Sequence, residues 1–187
     1  MPTATPTKPS FLGLLNAISL AESNAGVYLD AWANATPNED LACTLRFVAA
    51  RESSHGDVFC RRIQELGFDL LQKPDPGAAE RLAKVANPKI NDLDKIGAER
   101  EEADPFADIE RQLADGIFDP LTAKMMTWYV AEERDSGARL RECYQAVRDC
   151  AAGEMRSNGT NANQEVIDCM TAGFTRLEKS IEKLAKR

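Results

Sequence analysis

Apolar residues recur along almost all of this chain at steps of three and four, and no segment alternates convincingly between apolar and polar. That periodicity predicts an all-α fold. Leu12, Leu15, Ile18, Ala25 and Leu29 form the first stripe, within a helix expected over 11–35. Thr36-Pro37-Asn38-Glu39 then closes one helix and opens the next. Thr36 suits a cap, Pro37 the first helical position, and Glu39 the carboxylate of a capping box. The second helix is expected from about Pro37 to Leu66, stopped by Gly67. So short a turn between long helices makes them antiparallel neighbours.

Beyond Gly67 the Pro/Gly-punctuated stretch LLQKPDPGAAERLAKVANPKIND reads as a long crossover with a short helix at 78–86. Residues 91–116 keep a helical period broken at Asp104-Pro105, which predicts two segments or a kink. Asp119-Pro120 opens a helix through about Ala151, GEMRSNGTNAN reads as a loop, and a last helix is expected over 163–186. The most economical architecture is an up-and-down four-helix bundle over 11–151 with one long crossover. A flexible tail at 1–10 and an added amphipathic C-terminal helix within 160–187 flank it. On that last helix Ile167, Met170, Phe174, Leu177, Ile181 and Leu184 make a narrow seam. The seam suits docking on its own bundle or on a two-fold partner, and a homodimer through it is the oligomer expected.

The charge balance narrows the partners. Lys and Arg number 23 against 30 Asp and Glu, a net −7. Nucleic acid and anionic membrane surfaces demand a cationic face, so neither is an expected partner. No apolar run reaches membrane-spanning length, in line with a mean hydropathy of −0.39. The start, MPTATPTKPS, lacks the charged-then-apolar order of a secretory signal, and a cytoplasmic location is expected. Five cysteines with no C-x-x-C exclude a zinc ribbon or rubredoxin-type knot and suit small apolar gap-fillers. His55 is the single histidine, which rules out chemistry that needs two in one subunit.

Against this background the ionisable residues on the apolar stripes stand out. The stripe through Glu52 runs Leu41, Leu45, Val48, Glu52, His55, Phe59, Ile63, Leu66, apolar except for the Glu and His three residues apart. Two ionisable groups on a buried face cost several kcal/mol unless something pairs them, and a divalent metal does so. Glu22 repeats the anomaly between Ile18 and Ala25. Glu22 and Glu52 each lie fifteen residues from Pro37, so at about 1.5 Å per residue both stand roughly 22 Å from the shared turn. They are level, and their side chains can meet. On the 119–151 helix, Glu133 shares a stripe with Met126, Tyr129, Val130 and Leu140, whereas the stripe of Glu132 soon reaches Asp135 and Arg139. Glu133 is therefore preferred as the inward-facing acid, with Glu132 as the alternative.

Glu22, the run Arg51-Glu52-Ser53-Ser54-His55 and a later helical Glu133 together resemble the ferritin-like superfamily, over roughly residues 11–151. Members place one Glu from each of two helices and a Glu-x-x-His from each of the other two around a di-iron or di-manganese centre. The chain departs at Ser136, where a second Glu-x-x-His would put histidine; ferritins, with a single His at the ferroxidase centre, resemble it more closely there. The resemblance implies metal ligands Glu22, Glu52, His55 and Glu133. It also implies a third-helix ligand at Glu102 or Glu99, with Glu102 preferred. The implied cofactor is iron, one ion or a pair, with manganese as the alternative. The implied activity is Fe(II) oxidation by O₂ or peroxide. Tyr129, one turn before Glu133, is the candidate catalytic residue, as a hydrogen-bond partner of the ligands or an electron donor; core packing is its other reading. Trp32 and Trp128 read as core or interface aromatics. Two other functions fit the residues: a metal-free helical interaction module, favoured by Ser136 and the broken third helix, and an O₂-activating hydroxylase.

Overall fold

A computed structural model of the chain describes residues 7–97 and 104–157, the last four as backbone only, and contains six helices and no strand among them. The helices are α1 (Leu12–Ala35), α2 (Glu39–Glu65), α3 (Ala78–Val85), α4 (Asp92–Ile96), α5 (Ala107–Ala114) and α6 (Pro120–Ser157). None of the described helices is long and apolar enough to cross a membrane. The chain divides into two compact units, Met1–Cys143 and Tyr144–Arg187, and the boundary falls within α6.

Helices α1 and α2 are antiparallel, as the short turn demands. Ser19 Oγ donates to the Gly56 carbonyl at 2.8 Å, and further along Arg46 reaches the Ala33 carbonyl at 3.4 Å. The backbones approach closely enough to need glycine. A Cβ on Gly26 would stand 3.0 Å from the Ala49 carbonyl oxygen, and one on Gly56 would stand 3.0 Å from the Ser23 nitrogen.

The turn is built differently from expectation. Helix α2 starts two residues after Pro37 and is capped by Asn38, whose Oδ1 accepts from Leu41 N at 3.0 Å. Thr36 is used elsewhere: its hydroxyl accepts from Asn38 N at 3.1 Å and donates to Asp92 Oδ2 at 2.6 Å. At the far end α2 stops where expected. Gly67, at φ 87°, turns the chain so that Phe68 N–H reaches the Ile63 carbonyl at 3.1 Å.

The crossover returns along α1. Buried Asn16 grips it with both amide atoms: Nδ2 donates to the Leu71 carbonyl at 3.0 Å, and Oδ1 accepts from Leu71 N at 2.7 Å. Asp92, at the start of α4, accepts from Trp32 Nε1 at 2.7 Å, which ties this segment to the end of α1. The broken periodicity over 91–116 yields two short helices, α4 and α5. Residues 98–103, with Glu99 and Glu102, lie outside the described residues.

Helix α6 begins at Asp119-Pro120, with Asp119 Oδ1 accepting from Leu121 N at 3.0 Å and Thr122 N at 3.1 Å. It runs antiparallel to α2, since Arg62 bonds Asp119, His55 bonds Glu132 and Arg51 bonds Asp135. It continues through Ser157, so residues 153–157, expected as the start of a loop, are helical. A single interior glycine such as Gly153 weakens a helix by only about 1 kcal/mol and does not end it. The terminal helix expected at 163–186, its seam and Cys169 lie outside the described residues.

Leu15, Phe59, Ile63 and Met126, all 0–1 % exposed, centre a core that α5 joins through Ile109 and α6 through Tyr129 and Val130. Each such side chain contributes about 1.5–3 kcal/mol by burial. Leu41, Leu45 and Val48 continue the buried stripe of α2 on the other side of Glu52. The acid therefore sits inside apolar packing, with no polar end of the helix within reach.

Candidate metal centre

Three helices deliver the polar cluster. Glu22 comes from α1, Glu52 and His55 from α2, and Glu133 from α6. Each presents one ligand-type atom, and these four atoms lie within 4.8 Å of one another. Glu22, Glu52 and His55 are buried, the imidazole completely, and the Glu133 side chain is 16 % exposed. The level placement of Glu22 and Glu52 follows from the α1–α2 register, which sets Ser19 against Gly56 and Gly26 against Ala49.

The surrounding bonds hold the cluster in place. Tyr129 OH donates to Glu22 Oε1 at 2.7 Å, and the ring stands edge-on to His55 with centroids 5.2 Å apart. Burial and then the neighbouring Glu22 push the Tyr129 phenol above its ordinary range, so it stays a donor. His55 Nε2 lies 2.9 Å from Glu132 Oε2. Trp128, 37 % exposed, meets His55 edge-on at 4.8 Å and so covers the imidazole. Trp32, by contrast, is a core residue.

Glu133 and Glu132 stand in the sequence as alternatives, and the structure uses both. Glu133 does face the cluster, yet its neighbour also turns toward His55, on the other ring nitrogen. A signal for this existed: a buried imidazole has two nitrogens and needs a partner for each. Arg51 was unforeseen. Its Nη1 donates to Asp135 Oδ2 at 2.9 Å, to the Glu132 carbonyl at 3.1 Å and to Ser136 Oγ at 3.1 Å. Ser136, 2 % exposed, thus uses its hydroxyl on a guanidinium, at the position where a second Glu-x-x-His would put histidine.

The electrostatics ask for positive charge. Burial, then the adjoining Glu22 and Glu133, push the Glu52 carboxyl up to about 10. For His55, burial works against the charged form, but the adjoining Glu133 and Glu132 outweigh it and the imidazole is raised above its usual value. His55 Nδ1 stands 3.0 Å from Glu133 Oε1, but the two are not aligned as donor and acceptor, and each is a buried polar atom without a hydrogen-bond partner. Carboxylate oxygens with one imidazole nitrogen form a hard-to-borderline donor set, the kind that suits Mn(II), Fe(II) and ferric iron and not copper(I). A divalent cation would satisfy both orphaned atoms and displace the proton of Glu52, so these residues fit a metal. Comparison of the chain with protein-family models, with curated proteins and with solved structures finds no match.

Proposed function

We propose that this chain is a ferritin-like metalloprotein that holds iron in its helical core and oxidises Fe(II) with O₂ or peroxide as electron acceptor. The observation that carries the reading is the convergence of Glu22, Glu52, His55 and Glu133 in apolar packing with two of their atoms unpartnered. The order of elements supports the ferritin-like fold: an antiparallel α1–α2 pair, a crossover, an interrupted third helix in α4 and α5, then α6 antiparallel to α2. Glu99 or Glu102 would complete the third helix's contribution.

Bound iron supplies a one-electron couple between its ferrous and ferric states. Reduction of one hydrogen peroxide to two waters takes two electrons, from two Fe(II), and two protons. Within the chain, Glu22, Glu52 and Glu133 would favour the more highly charged ferric state, and His55 Nδ1 would provide the neutral nitrogen. Tyr129 orients Glu22, and Glu132 holds the imidazole by its other nitrogen. A homodimer through the C-terminal seam accompanies this reading; light scattering should give twice the chain's 20.6 kDa.

The test is metal analysis after anaerobic Fe(II) loading, followed by oxidation kinetics of wild type and His55→Ala. Bound iron, with oxidation slowed at least about tenfold in the variant, is expected. Metal-free wild type, or equal rates, removes the proposal.

A second reading, the metal-free interaction module, is favoured by one observation: Tyr129 already bonds Glu22, and Glu132 already partners one nitrogen of His55, from within the protein. Thermal melting separates the two. A ligand bound only by the folded state raises the melting temperature, and no shift at millimolar Fe(II) or Mn(II) supports the module.

A further inference from the structure

We infer that divalent cations reach the cluster through the seam between α2 and α6, where Glu132 takes them first and Trp128 covers the way in. This rests on the metal-binding reading above and adds the route to that site.

Access to water differs among the side chains around the imidazole. Glu22, Glu52 and His55 are buried, so α1 and α2 wall off their side of the cluster. The carboxylates beside His55 that touch water both come from α6, with side chains 16 % exposed at Glu133 and 31 % at Glu132. Glu132 is the more open, and its Oε2 stands 2.9 Å from His55 Nε2. One carboxylate therefore meets bulk water and the buried imidazole at once. On the other side of the ring, Nδ1 and Glu133 Oε1 are 3.0 Å apart with no hydrogen bond to either. A single ring carbon separates the two nitrogens. A cation held at Glu132 thus has only the edge of the imidazole to pass before it reaches those donors.

The neighbours of Glu132 leave its charge in play. Arg51 Nη1 is engaged by Asp135, the Glu132 carbonyl and Ser136, and Arg51 Nε stands 3.8 Å from Glu132 Oε2. That is a charge contact and not a hydrogen bond. It weakens the hold of Glu132 on a dication without occupying the carboxylate, which suits a point of passage and not a final site. On the opposite flank of α6, Arg134 takes both Glu110 and Asp104, at 2.6 and 2.9 Å. Trp128 stands one turn before Glu132 on the same face. Its ring meets His55 edge-on at 4.8 Å while its outer part faces solvent, so the indole closes the seam over the imidazole. A side chain at the surface rotates far faster than packed helices part, and rotation of this indole is the motion that opens the route.

The experiment uses the full chain and Mn(II), with association followed by stopped flow against a fluorescent metal indicator and release by chelator chase. Trp128→Ala is expected to speed association and release several-fold with little change in Kd. Trp128→Phe, which keeps an aromatic cover, should fall between that variant and wild type. Glu132→Gln keeps an acceptor for His55 but loses the charge, so association should slow about tenfold and lose most of its dependence on salt. Wild-type rates in either Trp128→Ala or Glu132→Gln overturn the route and leave the metal-binding reading intact. So does a Glu132→Gln protein that binds at the wild-type rate and only releases faster, because the acid then does no more than position His55. No Mn(II) on wild type, together with none after Fe(II) loading, removes the metal-binding reading itself.

Discussion

Glu52 is a carboxyl with almost no access to water, beside two others. In the unfolded chain it ionises near the ordinary 4.5, and in the metal-free fold only near about 10. Between those values the folded state binds more protons than the unfolded one, so stability falls as pH rises. Glu52→Gln mimics the protonated acid and removes that loss. In chelator, the melting temperatures of wild type and variant are expected to agree near pH 5 and to separate toward pH 8–9. The variant should end about 5 °C or more above wild type. Curves that stay parallel would contradict the burial argument. The same residue scale assigns Glu132 its part: it is no ligand of the bound cation but holds His55 by Nε2. Glu132→Ala should weaken Mn(II) binding by about 10–100-fold in a competition titration, with Glu132→Gln recovering part of it.

At the scale of elements, two joints set where the cluster's helices stand. Asp119 fastens the start of α6 to α2 by accepting from Thr122 and from Arg62 Nη2 at 2.9 Å. Burial acts to raise its pKa, but the hydrogen bonds from Thr122 and Arg62 prevail and hold the carboxyl down to about 2. A depressed carboxyl stabilises the fold above its unfolded value near 3.8, and that contribution is lost as pH falls through about 2. Asp119→Ala should therefore lower stability at pH 7 by about 1 kcal/mol, read in urea unfolding, and the difference should close near pH 2. The second joint is the α1–α2 contact. A Cβ at Gly56 meets backbone of Ser23 and Ser19 at 3.0 and 3.2 Å, and one at Gly26 meets backbone of Ala49 and Ser53 at the same two distances. Gly56→Ala and Gly26→Ala should each cost about 1–3 kcal/mol despite alanine's better helix propensity, read in urea unfolding.

For the whole molecule, the donors come from positions separated by up to 111 residues, Glu22 to Glu133, and only folding assembles them. Metal binding and stability are then one equilibrium. At a free metal concentration a hundred times its dissociation constant, the folded state gains about 2.7 kcal/mol. For a chain of this size the melting temperature should rise by about 5–10 °C, measured by calorimetry with Mn(II) against chelator. His55→Ala and Glu52→Gln should abolish the rise while keeping the helical signal. A rise of equal size in those variants would place the ion outside the cluster.

What the sequence determined by itself is local. The step of three and four marked α1, α2 and α6, and Gly67 and Asp119-Pro120 marked where helices stop and start, because caps and periodicity act within a turn or two of chain. The level of Glu22 with Glu52 was legible for the same reason, as both are counted from one tight turn at Pro37. Tertiary structure decided what depends on how one helix is rotated against another. Both Glu132 and Glu133 reach His55, because the α2–α6 contact aims the imidazole between adjacent residues, and a stripe analysis of α6 alone has to choose one. The pairing of Arg51 with Ser136 joins residues 85 apart, and Asp92 takes the Thr36 hydroxyl from 56 residues away, leaving Asn38 to cap α2. Periodicity fixes which face of a helix is apolar; only packing against a partner fixes the few tens of degrees that choose the side chains that touch.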